Sequence, residues 1–333
     1  MLLCGYYGFG NLGDELIAEA LIGLFEKSGV RRDEIALLSA APQDSLADLG
    51  VRSFDRWSFR EVLAGLKASD SLLLGGGGLF QDSTSLRSPL YYWGIVRLAS
   101  LMGSHPWCYG QSVGPLTSSW GRLLARRALA LCGPRVLRDE PSMALVESWG
   151  LEASRSPDVV LALPSVPLSG PGQALIVNVR PWPGDLPRRT AEEAARLAAK
   201  RTCPLIGVAL SEEDRRLLER FRDDGICPVE EIRHLRRRDD VQGAFDQAAL
   251  AVGMRLHFLI LALMQGVPAM AVPYDPKVEA LARTWSIPLW EGTGHLPAER
   301  TQPVDGKWLL AARQTVEADF LSAWRRVEEV LRP

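Results

Sequence analysis

The segment GYYGFGNLGDE at residues 5–15 carries Gly8, Gly10 and Gly13 in the spacing Gly-x-Gly-x-x-Gly, followed at once by Asp14 and Glu15. Glycines so spaced between an apolar strand and a helix let backbone N–H groups at the helix N-terminus approach a phosphate. Two details speak against a dinucleotide. The second apolar run ends in Ser39-Ala40 rather than an acidic residue, and a carboxylate at Asp14 would repel a pyrophosphate. Asp14 and Glu15 read equally well as first-turn acids favoured by the helix dipole. Alternatively, Asp14 acts as a general base or binds sugar hydroxyls, and its two oxygens allow both roles at once.

A second glycine run, Gly75 to Gly78, leads into Gln81 and Asp82 and lacks the Lys-Ser/Thr of a P-loop. It is either a tight turn between packed elements or one wall of a ligand pocket. In that pocket Gly77 and Gly78 would allow close approach and Gln81 and Asp82 would offer hydrogen bonds.

Cations stand where apolar runs end. Arg138 closes Val136-Leu137 and is followed by Asp139 and Glu140, so it reads as an anion ligand or as half of a salt bridge with one of those two. Arg180 closes Ile176 to Val179 ahead of Pro181-Trp182-Pro183, a context that favours an aromatic-stacked structural arginine over a binding one. Arg255 and His257 open the very apolar stretch LHFLILALMQG, and Lys277 follows Pro273-Tyr274-Asp275-Pro276. A buried helix seldom opens on Arg and His without a role for them, and His257 can exchange a proton near neutral pH. His105, His234 and His295 lack such settings. No His/Cys/carboxylate spacing indicates a metal.

These residues require strands that end at one edge. Short apolar runs alternate with amphipathic stretches throughout, the pattern of parallel sheets with crossover helices. Strands are expected near 1–5, 34–39, 71–74, 107–110 and 136–138, then near 174–179, 205–209, 250–252 and 269–272. Helices are expected near 191–200, 212–221, 240–248 and 256–265, with a long amphipathic helix over 309–331. The Pro/Ser/Gly-rich segment LPSVPLSGPG at 163–172 marks a linker. The expectation is an α/β protein of two Rossmann-like domains facing a cleft, at 1–165 (acceptor side and glycine loops) and 173–333 (donor side and C-terminal helix).

The chain has 333 residues, 47% hydrophobic and 23% charged, with 38 Lys+Arg against 40 Asp+Glu. That balance provides no global field for nucleic acid or anionic lipid. Only five of the cations are lysines, so Lys277 at a candidate cleft edge suggests a role for a compact ammonium. Five scattered cysteines without a Cys-x-x-Cys pair fit a reducing compartment. The absence of a signal-like N-terminus or a long apolar run leads to the expectation of a cytoplasmic protein.

Taken together, GYYGFGNLGDE at 5–15, LLLGGGGLFQD at 72–82, YGQSVGPL at 109–116, LRDEPS at 137–142, VRPW at 179–182, GMRLHFLILALMQGVP at 253–268 and YDPKV at 274–278 resemble the polysaccharide pyruvyl transferase family, and in particular its CsaB type. The resemblance implies a GT-B-like fold and a reaction in which phosphoenolpyruvate and a sugar diol give a pyruvate ketal and phosphate. The acceptor would be a β-linked N-acetylmannosamine of a lipid-linked secondary cell-wall polysaccharide, and the ketal a handle for surface-layer proteins. Family roles carry over to Asp14, Arg138, Arg255, His257 and Lys277. His257 and Asp14 would share the acid and base work in an order the residues leave open, and the three cations would hold the donor's carboxylate and phosphate. The expected partners are phosphoenolpyruvate as donor substrate and the lipid-linked saccharide, with peripheral membrane contact through that acceptor. No cofactor, metal or nucleic acid is expected, and a homodimer stays open. Two rival readings remain: a GT-B glycosyltransferase using a nucleotide sugar, and a non-catalytic nucleotide- or sugar-binding protein.

Overall fold

The computed structural model describes residues 1–83, 85–164 and 172–332. The expected linker over 163–172 thus falls largely, at 165–171, outside the described residues. The chain divides into two compact units, Met1–Phe9 with Asp14–Leu163 and Ala312–Pro333, and Gly10–Gly13 with Pro164–Ala311.

The first unit contains a seven-stranded parallel sheet of β1 (Leu2–Cys4), β2 (Ala36–Ser39), β3 (Arg52–Asp55), β4 (Ser71–Phe80), β5 (His105–Val113), β6 (Arg135–Leu137) and β7 (Ser154–Arg155). Its order is β3-β2-β1-β4-β5-β6-β7. The helices α1 (Leu12–Lys27), α2 (Pro42–Leu49), α3 (Phe59–Lys67), α4 (Arg87–Leu101), α5 (Ser119–Leu131) and α6 (Glu140–Ser148) are the crossovers. Central strands read as unbroken apolar runs because helices cover both faces; Leu2, Leu3 and Leu72 to Leu74 are fully buried.

Three sequence expectations change here. The strand expected over 71–74 continues through the glycine run to Phe80, pairing Gly75 with Tyr109 and Gly77 with Gln111, so the four glycines are strand residues and not a loop. Their lack of side chains admits α1. A Cβ on Gly75 would meet Leu21 and the Tyr7 hydroxyl, and one on Gly76, itself at φ +63°, would come within 2.5 Å of Ile17. The edge strands β3 and β7 were not expected, being short and polar. Finally, the C-terminal helix, assigned from sequence to the second domain, groups with the first unit from Ala312 onward. It does so because Phe320 and Trp324 pack edge-on against Phe25, at centroid distances of 5.0 and 5.4 Å, and beside Trp107. The Tyr109 hydroxyl also donates to the Val316 carbonyl at 2.7 Å.

The second unit contains β8 (Ala174–Asn178), β9 (Leu205–Ala209), β10 (Glu231–His234), β11 (Ala248–Gly253) and β12 (Ala269–Ala271), all parallel, in the order β10-β9-β8-β11-β12. The crossovers are α7 (Leu186–Arg201), α8 (Glu212–Asp223), α9 (Asp240–Phe245) and α10 (Leu256–Met264), with α11 (Pro276–Thr284) after β12 and α12 (Gly306–Leu331) closing the chain. His234, for which the sequence offered no role, ends β10, a strand the sequence reading did not expect, and is mostly covered. Residues 10–13 group with this unit because the Leu12 N–H donates to the Leu210 carbonyl at 2.9 Å and Gly13 packs on His257. No helix among the described residues is long and apolar enough to cross a membrane.

Candidate functional site

In open parallel sheets ligands bind beyond the strand carboxyl ends, where strand order reverses. The first sheet reverses between β1 and β4 and the second between β8 and β11. The glycine loop follows β1 and Gln81-Asp82 follow β4. Arg180 follows β8, and Arg255 and His257 follow β11. Arg138 and Lys277 follow β6 and β12, farther along the same edges.

In the glycine loop, Gly8 and Gly10 are at φ +77° and +68°, where side chains are strained. A Cβ on Gly8 would also strike Ser39 and the Ala40–Ala41 backbone, whereas the space beside Gly10 is open. The Gly8 N–H donates to Glu15 Oε1 at 2.8 Å, so the first turn of α1 holds its own loop. Burial raises the Glu15 carboxyl to about 7 against the pull of the Gly8 N–H bond, and the Asp14 charge pushes the same way as burial. Glu15 is therefore a titratable group near neutrality, which the sequence presented only as a first-turn acid. Asp14 is buried, and a Cβ on Gly77 would lie 3.1 Å from its Oδ1. The close approach expected of Gly77 is thus made by a side chain of α1. Gly78 is half-buried beside it.

Asp82 is committed elsewhere. Its carboxylate accepts from Thr117 N and Oγ1 at 2.6 and 3.0 Å and from Ser118 N and Oγ at 2.9 and 2.5 Å, tying the end of β4 to the start of α5. Those bonds hold its pKa below the usual carboxylate range although burial opposes them. Gln81 is half-buried, and its Oε1 accepts from Ser83 at 3.4 Å.

Arg138 lies in a buried polar network. Its Nη1 meets Asp158 Oδ2 at 2.7 Å, with the two side chains 5% and 4% exposed. Its Nε donates to Ser112 Oγ at 2.6 Å, and Ser112 in turn donates to Asp139 at 2.5 Å. The salt bridge anticipated with Asp139 or Glu140 is therefore made with Asp158. Asp139 instead caps α6 through the Ser142 N–H at 2.9 Å.

In the second unit Arg255 grips Asp214 through Nε and Nη2 at 2.5 and 2.7 Å, and Nη2 also reaches Ser211 Oγ at 2.7 Å. Asn178, the last residue of β8, accepts from the Arg255 N–H at 3.0 Å and donates to the Val208 carbonyl at 2.9 Å, fixing the strand-to-helix turn at the switch point. That turn sets His257 in the first turn of α10, where Nδ1 occupies the space a Cβ on Gly13 would take. Arg180 donates to the Tyr274 hydroxyl at 2.7 Å and lies 4.7 and 5.5 Å from the Tyr274 and Trp182 ring centroids, the aromatic-stacked arrangement its context suggested. Lys277 Nζ lies 3.6 Å from Asp275, which caps α11.

The sequence reading did not single out Asp158, Asp214 or Asn178. Asn178 carried a signal, a fully polar side chain inside the apolar run ALIVNV; the carboxylates lie far in sequence from the arginines they pair with. Among the described residues no group of three His, Cys, Asp or Glu could hold a metal ion.

A family model described as polysaccharide pyruvyl transferase matches residues 11–276. No curated protein matches the chain. Among solved structures, the UDP-GlcNAc 2-epimerase of Methanocaldococcus jannaschii is 9% identical, covers 100% of both chains and has a TM-score of 0.61. The MnaA–UDP structure of S. aureus is 9% identical over 99% of this chain and 95% of that one, with a TM-score of 0.59. A UDP-glucosyltransferase of Polygonum tinctorium is 11% identical over 100% and 98%, with a TM-score of 0.56. At such identities the likeness is one of fold: an α/β chain with two parallel sheets of the GT-B kind.

Proposed function

Because the chain belongs to the polysaccharide pyruvyl transferase family, we propose that it transfers the enolpyruvyl carbons of phosphoenolpyruvate to two hydroxyls of one sugar, forming a pyruvate ketal and releasing phosphate. The reading extends to the CsaB type, acting in the cytoplasm on a lipid-linked secondary cell-wall polysaccharide at an N-acetylmannosamine residue. C3 of the donor gains a proton, the first hydroxyl bonds to C2, the C2–O bond to phosphate breaks, and the second hydroxyl closes the ketal. Of the two hydroxyl protons, one ends on C3 and the other leaves with phosphate. The chemistry therefore needs an acid, a base and cations for two anionic groups.

The observation that best supports this reading is the seat of His257: an imidazole at the second sheet's switch point, in contact with Gly13, the residue directly before Asp14. We assign proton transfer to His257 and Asp14, and Glu15 helps hold the glycine loop that precedes Asp14. Lys277 and the guanidinium groups of Arg255 and Arg138 serve the donor's carboxylate and phosphate, where charge-assisted bonds stabilise developing charge. Each arginine would do so while anchored by its own carboxylate, Asp214 or Asp158. The test is phosphate release from phosphoenolpyruvate with an N-acetylmannosamine glycoside as acceptor, alongside thermal shift with phosphoenolpyruvate, UDP, GDP and NAD. Stabilisation by UDP or GDP without phosphate release would replace this reading with a nucleotide-sugar one.

A further inference from the structure

The glycine loop that leads to Asp14 and Glu15 also carries aromatic rings that none of these roles uses. Tyr6 and Phe9 stack face to face, with centroids 3.9 Å apart and planes 8° from parallel. Trp57, just past β3, stands edge-on to Phe9 at 6.2 Å. Although they sit at the carboxyl edge of a well-packed sheet, these rings are 42%, 37% and 66% exposed. Exposed aromatic clusters of this kind mark places where a partner is bound.

They are held rigidly from behind. Arg56 is 5% exposed and, among the described residues, pairs with no Asp or Glu. Its guanidinium instead donates to the Gly5 carbonyl at 2.6 Å and to the Tyr92 hydroxyl at 3.2 Å. It lies 4.5, 5.0 and 5.4 Å from the Tyr91, Phe9 and Trp57 ring centroids. A buried cation is costly unless its surroundings compensate it. Here ring faces do so, and the result is that one side chain locks the loop after β1 to the loop after β3. Glu15 fixes the same loop from the other end through the Gly8 N–H.

We propose that Tyr6, Phe9 and Trp57 form a shelf on which a saccharide ring of the acceptor stacks, with its hydroxyls toward the carboxylates of the same edge; this rests on the pyruvyl-transfer reading only for calling the saccharide an acceptor. A pyranose has an apolar C–H face and a rim of hydroxyls, which matches flat rings bordered by hydrogen-bond acceptors. The local charge favours this occupant over an anionic lipid surface. Asp14, Glu15, Asp55 and Glu61 belong to these loops and helix starts, against Arg60 and an Arg56 covered by rings. Arg56 is a positioning residue for the shelf.

The experiment uses the full chain and the methyl β-glycoside of N-acetylmannosamine, whose methyl group cannot itself stack as an aryl group would. Binding is read by saturation-transfer NMR without turnover, and the acceptor KM is read separately from phosphate release. Phe9→Ala and Trp57→Ala should each weaken glycoside binding and raise acceptor KM by about fivefold to tenfold, the scale of one aromatic contact. The KM for phosphoenolpyruvate should stay near wild type, and the melting temperature should fall only slightly, because Arg56 keeps the Tyr91 and Tyr92 rings when either of the others is removed. Phe9→Tyr and Trp57→Phe should restore acceptor affinity to within about twofold, and Trp120→Ala, an exposed ring on α5, should change nothing. The shelf is overturned if both alanine variants match Trp120→Ala in glycoside binding, or if the wild type binds no glycoside. It is also overturned if the variants lose association with phosphatidylglycerol vesicles, or self-association in gel filtration, while keeping their saccharide affinity. A wild type that binds the glycoside through Trp57 yet releases no phosphate leaves the shelf standing and removes the pyruvyl-transfer reading. Phosphate release with unchanged acceptor KM in both variants does the reverse.

Discussion

Nδ1 of His257 fills the place where Gly13 would carry a Cβ. The first glycine motif therefore ends in a residue whose missing side chain makes room for an imidazole. Gly13 lies outside the left-handed φ region, so Gly13→Ala keeps its backbone and displaces the ring. Overpacking against the ring should cost about 1–3 kcal/mol of stability, and if His257 transfers a proton, phosphate release by the folded protein should fall on the order of 10²-fold. His257→Ala should match that loss, and activity within a few-fold of wild type in both variants would remove His257 from the mechanism. Gly10→Ala is the counterpart. It meets nothing in space but sits at φ +68°, so it should cost about 1 kcal/mol of stability and little activity.

Gly76→Ala should act on folding. The added methyl would run into Ile17 of α1 from a left-handed backbone position, combining overpacking with strain. A loss of about 2–4 kcal/mol is expected, measurable as a lower urea midpoint. The double variant Gly76→Ala/Ile17→Ala should recover part of it. A midpoint unchanged in the single variant would show that α1 is not pressed onto β4 as described.

Glu15 should make stability depend on pH. Burial raises its carboxyl from 4.5 to about 7, so between these values the folded chain keeps a proton that the unfolded chain has released. Stability is then greatest below about 4.5 as far as this group is concerned. It falls as pH rises toward 7 and levels off above, by up to about 3 kcal/mol in all. Glu15→Gln is neutral throughout and should lack this slope. Urea midpoints of both proteins from pH 4.5 to 8 check it, and parallel curves would show that Glu15 does not titrate as its burial implies.

The two paired arginines should separate from Lys277. Asp158→Ala removes the buried carboxylate that pairs with Arg138, and Asp214→Ala removes the one that accepts from Nε and Nη2 of Arg255. Each should destabilise the fold by about 3–5 kcal/mol. Lys277→Met removes a half-buried ammonium that lies 3.6 Å from the Asp275 carboxylate. It should leave the melting temperature within a few degrees and raise the KM for phosphoenolpyruvate by about tenfold or more, the scale of a charge-assisted contact. An unchanged donor KM would exclude Lys277 from the donor's anion site.

Strand-end cations and glycine motifs were legible in the sequence because both follow from local rules: apolar runs end at a sheet edge, and the residues just beyond them face outward. The partners of those cations were not. Asp158 is twenty residues past Arg138 and Asp214 lies forty-one before Arg255, and only strand order brings each pair together. The glycine run misled for a related reason. Four glycines read as a turn, yet Gly75 and Gly76 are kept bare by Tyr7 of the loop after β1 and by Ile17 and Leu21 of α1. Arg56 carried no signal at all, since its partners are rings from three separate segments.

The closing helix α12 has a consequence for the order in which the protein can be made. Phe320 and Trp324 complete the aromatic cluster around Phe25 and Trp107, and they follow the whole second unit in the sequence. During synthesis most of the first unit therefore emerges before the second but waits, with those indole and phenyl faces uncovered, until the whole second unit has been translated. Domains generally fold in the order in which they emerge; here the core of the first unit is sealed only after the second unit has been made.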